Sequence, residues 1–258
     1  MKKLITLIVF MTLSAKLSQS LLAQRSIPML PHSNFYDDLR INTEIKTFPA
    51  PDMALIEAED LANPSPYRVA VSVPVNLSME NAGQWTALPD GGKIWTLSIE
   101  VEGAQAIGVY YDNFWLPYGG ELYLYNEDKT QILGAYTDDN NNPDCVFANQ
   151  LVQGDIVTLE YYQPESQIIE PIISISDVAY NYRGFQFEMD PNRGGSLWCM
   201  ININCPEGDD WQDEKRGVVK QYMKIGWGYY LCTGSLMNTT EQDLTPYVLT
   251  AWHCGEGA

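Results

Sequence analysis

The sequence predicts an all-β protein, with an antiparallel β-sandwich over most of the chain. Short segments rich in Trp, Tyr, Ile and Val follow one another closely from residue 67 onward, a composition typical of strands. The breaks between them hold turn formers such as Pro89-Asp90-Gly91-Gly92 and Tyr118-Gly119-Gly120. No long helical period interrupts the series. This alternation of short strands and turns is typical of a sandwich.

Seven segments match the strand pattern, and many alternate apolar and polar residues as a strand with one buried face does. In chain order they are Tyr67–Val75, Lys93–Val101, Ala106–Tyr111, Glu121–Asn126, Ile132–Tyr136, Ile156–Tyr162 and Ile172–Tyr182. From residue 24 to 66 the sequence is irregular, since repeated prolines exclude long helices. A short helix is predicted within that region, over Pro51–Leu61.

The first 23 residues have the three parts of a secretory signal peptide. Lys2 and Lys3 precede an apolar run from Leu4 to Leu13, and small residues follow up to Ala23. The run is shorter than the roughly 20 residues that a membrane-spanning helix needs. We therefore expect cleavage near Ala23 and export to the extracellular space or periplasm, with no membrane attachment after the signal is removed.

The chain is strongly acidic, with a formal net charge of -18 at pH 7. Residues 24–193 contain 25 of the acidic side chains and 8 of the basic ones. Phosphate backbones and anionic lipids repel such a surface, which argues against nucleic-acid and membrane partners. The acidic run over residues 138–144 lacks the ligand spacing of an EF-hand and is interpreted as a solvated turn. The sequence thus predicts no metal and no cofactor.

The cysteines are distributed unevenly and indicate two differently built regions. Cys145 stands alone, whereas the last 60 residues contain four cysteines, at positions 199, 205, 232 and 254. The stretch over residues 187–196 combines charge, Pro, Asn and two glycines, and is the best candidate linker. We therefore divide the chain into a signal peptide (1–23), a β-sandwich domain (24–193) and a C-terminal segment (194–258).

The C-terminal segment contains motifs with a chemical meaning. His253, one of only two histidines, follows a short apolar strand in Thr250-Ala251-Trp252-His253-Cys254, and Cys232-Thr233-Gly234-Ser235-Leu236 precedes it. T-A-W-H-C resembles the T-A-A-H-C histidine motif of chymotrypsin-type serine proteases. The series Cys199, Cys205-Pro206-Glu207-Gly208-Asp209, C-T-G-S-L and L-T-A-x-H-C-G resembles the bacterial lysyl endopeptidases more closely. The resemblance covers about a quarter of the chain.

The resemblance implies that residues 194–258 begin a trypsin-like double β-barrel, incomplete as given. It implies that His253 is the general base and acid of a Ser-His-Asp triad that hydrolyses proteins or peptides. The Asp and Ser of such proteases follow the histidine in the chain, so we expect both after residue 258 and expect the fragment to be inactive. Ser235 and Asp243 precede the histidine and are not assigned to the triad.

The same resemblance implies a set of disulfides. Cys232 and Cys254 are expected to close the histidine loop, which export to an oxidising compartment favours. Cys199 and Cys205 are expected to pair with cysteines after residue 258. No role is assigned to Cys145.

A zymogen is the architecture that the resemblance implies. The sandwich would be a propeptide that contacts its own protease domain and is removed at the Arg193–Gly194 bond, which leaves five residues before Cys199. Specificity for lysine stays open, because the pocket that recognises the side chain is expected after residue 258.

Two other interpretations remain open. One is a secreted β-sandwich binding or adhesion module with an inactive protease-like remnant, in which strand aromatics stack on sugars. Its candidate aromatics are Trp95, Tyr110, Tyr111 and Trp115. The other is an inactive protease homologue. The sequence after residue 258 distinguishes them.

Overall fold

The computed structural model describes residues 25–36, 39–183, 203, 205–243 and 245–254. Within these residues the protein is mostly β and forms two sheets, so the all-β prediction is confirmed. The signal segment, the Arg193–Gly194 bond and Cys199 lie outside the described residues.

The described strands are β1 (Glu44–Phe48), β2 (Arg68–Ser78), β3 (Gln84–Ala87), β4 (Lys93–Val101), β5 (Ala106–Trp115), β6 (Glu121–Tyr125), β7 (Ile132–Tyr136), β8 (Phe147–Ala148), β9 (Val152–Gln153), β10 (Ile156–Gln163), β11 (Ile172–Asn181), β12 (Val218–Ile225), β13 (Gly228–Met237) and β14 (Tyr247–Thr250). The α-helices are α1 (Met53–Ala62) and α2 (Gln212–Arg216). Short 3-10 helices cover His32–Phe35, Asp138–Asn140, Pro206–Trp211 and Trp252–Cys254.

The first sheet has six strands in the order β1-β4-β10-β6-β7, with β3 also paired to β4. Its pairs are antiparallel apart from β1 and β4, which run parallel from Glu44 opposite Leu97 to Phe48 opposite Val101. This parallel pair is a departure from the predicted antiparallel sandwich. It brings the irregular N-terminal region into the sheet.

The second sheet has eight strands in the order β12-β13-β2-β11-β5-β8, with β14 on β13 and β9 on β5. All of its pairs are antiparallel. Strands β12 to β14 come from the segment that was expected to begin a barrel, and they extend the sheet of the sandwich through β13. In the described residues neither sheet closes into a barrel.

The two sheets face each other across one hydrophobic core. Alternate residues of each strand point inward, as the two-residue period of a strand requires. On β4 these are Trp95, Leu97 and Ile99, all fully buried. The indole of Trp95 donates a hydrogen bond to the carbonyl of Ala82 at 3.0 Å, so its polar atom is satisfied inside the core.

The N-terminal segment covers the outer face of the six-stranded sheet. Ile27 exchanges two backbone hydrogen bonds with Ala135, at 3.0 and 2.5 Å. The ring of His32 stacks on Tyr162 with centroids 3.5 Å apart, and its Nε2 lies 3.0 Å from the carboxylate of Glu121. The hydrogen bond from His32 lowers the pKa of Glu121. These contacts hold an irregular segment on the sandwich.

Helix α1 lies beside the start of β2. It was predicted over Pro51–Leu61 and begins at Met53, because the carboxylate of Asp52 accepts from the Leu55 amide at 3.1 Å and caps the helix. The guanidinium of Arg68 donates to Asp60 of the helix at 2.9 Å, and both side chains are largely buried. This ion pair fixes the helix against the sheet.

Candidate functional site

Strands β12, β13 and β14 form an antiparallel meander that positions the predicted site residues. Gln221 lies opposite Cys232 on β13, and Gly234 lies opposite Thr250 at the end of β14. The hydroxyl of Thr250 forms a 2.7 Å hydrogen bond with the Gln221 side chain and donates to the Thr233 carbonyl at 2.9 Å. The end of β14 is therefore held to β13 by strand pairing and to β12 by the Gln221 side chain.

His253 lies in the 3-10 turn directly after β14. The Cys254 amide donates to the Ala251 carbonyl at 3.0 Å and closes the turn. Trp252 and His253 are exposed, whereas Cys254 is buried. The turn consequently presents the imidazole to solvent while the next residue anchors the chain.

A disulfide joins Cys232 on β13 to Cys254 in this turn, with 6.0 Å between the two Cα atoms. That separation lies in the usual range for disulfides. The two sulfurs and a ring nitrogen of His253 lie within 4.8 Å of one another, a grouping that resembles a metal site. Cysteine binds metals as a thiolate, however, and both sulfurs are consumed by the bond. The arrangement is therefore a disulfide cross-link next to the histidine and not a metal site.

The described residues supply neither a carboxylate nor a hydroxyl within hydrogen-bonding distance of the His253 ring. The Asp243 carboxylate accepts from the Thr245 amide at 3.1 Å, from its hydroxyl at 2.6 Å and from Thr239 at 3.2 Å. These hydrogen bonds lower the pKa of Asp243 and hold its carboxylate within the loop before β14. Ser235 lies on β13 opposite Leu249. Neither residue forms a dyad with the histidine here.

The remaining predicted cysteines have no disulfide among the described residues. Cys205 is a half-buried free thiol that precedes the 3-10 helix Pro206–Trp211. Cys145 is also free. Cys199, Arg193 and Gly194 fall outside the described residues, so the pairing of Cys199 and Cys205 and the maturation bond stay predictions.

The aromatics considered for sugar stacking are mostly not available for it. Trp95 and Tyr111 are fully buried in the core. Tyr110 is half-buried and has the ammonium of Lys224 4.5 Å from its ring centroid. Only Trp115 of the four has a substantial exposed fraction, 42%. The strand aromatics therefore give the binding-module interpretation little support.

The family resemblance implied a contact between the sandwich and the protease segment, but no sequence pattern placed that contact at the β12–β13 hairpin (residues 218–237). Gly228 and Tyr229 of β13 pair with Val71 and Ala70 of β2, and the Ser72 amide donates to the Trp227 carbonyl at 2.8 Å. Tyr229 is buried in a small cluster on the outer face of the eight-stranded sheet. A strand of the C-terminal segment is thus an added strand of the sandwich.

A charged contact accompanies this strand pairing. The ammonium of Lys224 lies 2.6 and 2.7 Å from the two carboxylate oxygens of Asp177 on β11. Ser176 donates to the same carboxylate at 2.7 Å, Tyr229 donates at 3.1 Å, and Ser72 also donates. Burial opposes ionisation of Asp177, but the hydrogen bonds outweigh it and lower its pKa. Burial beside this carboxylate raises the pKa of Tyr229.

One comparison with known proteins bears on the C-terminal segment. Residues 193–258 match a protein-family model described as the C-terminal domain of lysyl endopeptidase. The matched range contains His253 and both cysteines of the disulfide. In the part of the chain that the structure describes, no helix has the length and apolar character needed to cross a bilayer.

Proposed function

We propose that this chain, which is lysyl endopeptidase-like over residues 193–258, is the precursor of a secreted serine endopeptidase and that His253 is the general base and acid of its triad. The observation that carries the proposal is the position of His253. Its ring is exposed directly after a strand, in a turn tied to the neighbouring strand by Cys232 and Cys254. A catalytic imidazole needs this combination of access and fixed backbone.

The proposed reaction is peptide-bond hydrolysis through an acyl-enzyme. His253 would take the proton of the serine hydroxyl during attack on the carbonyl and return it to the leaving amine. An Asp would hold the imidazole in the required tautomer. The proposal places this Asp and the serine C-terminal to residue 258, in the chain order of the chymotrypsin-type proteases. It requires no cofactor.

The substrates would be proteins or peptides cut after lysine. The description of the matching family supports that specificity. The net charge of the chain does not bear on it. The residues that would recognise the lysine side chain are assigned, like the serine, to the sequence after residue 258.

Maturation would remove the sandwich at the Arg193–Gly194 bond. A basic residue followed by two glycines in a loop-like sequence supports this position. N-terminal sequencing of the active enzyme tests it directly. A mature chain that begins at Gly194 is expected, and one that begins at Gln24 and retains full activity would make the sandwich a permanent accessory domain.

The activity is tested with the product of the complete reading frame and a matched pair of histidine variants. His253→Gln should lower kcat/KM on a lysyl peptide substrate by about 1000-fold or more, as loss of a triad member does. His32→Gln is the control, because His32 is the only other histidine and lies on the sandwich. Labelling by a fluorophosphonate, which reacts with an activated serine, gives a second measurement. Equal activity and labelling of the two variants would contradict the proposal.

A further inference from the structure

The outer face of the eight-stranded sheet contains a binding site for a lysine side chain. Asp177 is buried and projects from β11, and the hydroxyls of Ser72 and Ser176 donate to its carboxylate. The ring of Tyr110 lies beside the ammonium that the carboxylate binds, at 4.5 Å. All four residues precede residue 184, so the sandwich alone supplies the receptor. We name this group the Asp177 receptor.

The ligand of the receptor comes from the other side of the predicted maturation bond. Lys224 is on β12, and its ammonium contacts both carboxylate oxygens. Burying a carboxylate without a cation is strongly unfavourable, and the hairpin that covers Asp177 with Tyr229 also supplies the ammonium of Lys224. The sandwich between residues 24 and 193 carries 25 acidic and 8 basic side chains, which adds a long-range attraction for cations.

Two further contacts make the ion pair part of an extended interface. Tyr229 enters the small cluster formed by Val69, Ala70 and Ala179 and is almost completely buried. The guanidinium of Arg68 lies 4.3 Å from the ring centroid of Trp227, at the turn of the hairpin. Backbone pairing, a buried aromatic anchor and a desolvated ion pair together are the usual composition of a specific interface.

We propose that the sandwich and the β12–β13 hairpin form a noncovalent complex that persists after the chain between them is cut, with Lys224 bound in the Asp177 receptor. Cleavage at Arg193 then does not release the sandwich. It remains on β13, the strand that carries Cys232, and dissociation is a second and separate step of maturation. Natural cleavage at Arg193 is part of the proposed function, so this step depends on it. The association of the sandwich with the hairpin does not depend on the proposed function.

The test uses the chain with a recognition sequence for a site-specific protease inserted after Arg193. After cutting, the two fragments should co-elute from a size-exclusion column at pH 7.5 without denaturant. Lys224→Gln should weaken their association at least about 30-fold. Lys46→Gln is the matched control, because Lys46 also has an acidic partner, Glu44 at 2.7 Å, but is more exposed and lies on β1. Separation of the wild-type fragments, or equal weakening by both variants, would overturn the proposal.

A competition experiment needs no variant and so is independent of any folding defect. n-Butylammonium chloride carries the head and stem of a lysine side chain, and it should dissociate the cut wild-type complex at lower concentration than sodium chloride does. An equal effect of the two salts at matched ionic strength would show that the Asp177 receptor does not recognise the ammonium. Neither measurement depends on protease activity, so failure of this inference and failure of the proposed function are distinguishable.

Discussion

The backbone of Gly83 lies against the indole of Trp95 so closely that a β-carbon at residue 83 would overlap the ring. Gly83 also has a φ of +79°, which L side chains rarely adopt. Trp95 is fully buried and is one of the largest side chains of the core. The turn after β2 and the core therefore constrain each other at this contact.

Gly83→Ala should lower the free energy of unfolding by about 3–5 kcal/mol, because the methyl group adds a steric overlap to the cost of the positive φ. Gly154→Ala is the matched control. Gly154 has a φ of +103° and no atom within 4 Å of the position that a β-carbon would take, so it should lose only about 1–2 kcal/mol. Urea unfolding monitored by tryptophan fluorescence measures the unfolding free energy of both variants. Equal losses would show that the close contact with Trp95 adds no cost at residue 83.

The ion pair between Lys224 and Asp177 should make a measurable contribution to stability. Their side chains are 22% and 8% exposed, so solvent screens the pair only weakly. A double-mutant cycle with Asp177→Asn and Lys224→Gln in the uncut chain should give a coupling free energy of about 1–3 kcal/mol. A coupling free energy below about 0.3 kcal/mol would show that the ion pair contributes little and that the strand pairing stabilises this contact.

The free energy of unfolding should fall in acid, partly because the Asp177 carboxylate becomes protonated. Its pKa is lowered in the folded protein because the hydrogen bonds from Lys224, Ser72 and Ser176 outweigh burial. Such a group stabilises the fold fully above its unfolded pKa of about 3.9, and the contribution is lost as the pH falls through the lower folded value.

The wild-type minus Asp177→Asn difference in unfolding free energy should therefore shrink as the pH is lowered below about 4. Lys224 also faces Asp177. Burial raises the pKa of Tyr110 and of Tyr229, the two tyrosines beside the carboxylate, so neither tyrosine titrates in acid. Urea midpoints between pH 7 and pH 2.5 measure the difference. A difference that stays constant over this range would mean that the carboxylate has no lowered pKa.

The disulfide should stabilise the histidine turn. The two cysteines are 22 residues apart, and closing a loop of that size contributes roughly 3 kcal/mol in the chain-entropy model. The variant Cys232→Ser/Cys254→Ser should lose about that free energy, while Cys145→Ser, which removes a free thiol, should change stability little. Non-reducing peptide mapping of the wild-type protein gives the direct check, since it should recover the peptides of Cys232 and Cys254 as a linked pair.

Local patterns predicted much of the sandwich. Strands β4 and β7 begin and end where the sequence placed them, at Lys93–Val101 and Ile132–Tyr136, because turn formers bound short apolar runs on both sides. The helix was placed within two residues of its observed bounds, since Asp52 is a strong capping residue. Alternation and turn chemistry act over a few residues, so a single sequence reveals them.

Contacts between distant residues were missed. Strand β1, Glu44–Phe48, is partly exposed and contains no apolar run that would predict a strand. Its parallel pairing with β4 also leaves no pattern in the local sequence. Asp177 follows Ser176 on β11, and this polar pair resembles the solvent-facing part of a strand; the contacts that cover Asp177 come from Lys224 and Tyr229, about 50 residues further along the chain. The histidine turn was located because its motif is contiguous in the chain.

The pairing of β2 with β13 has a consequence for the order of folding. The paired residues Val71 and Gly228 are about 160 residues apart, so their contact closes one of the longest loops in the chain. Contacts of such separation form late, since the entropy of loop closure is lost before they contribute. The sandwich also leaves the ribosome first. Its sheet edge is then complete when the hairpin emerges, and the β12–β13 hairpin, whose own pairing is local, docks onto a surface that has already folded.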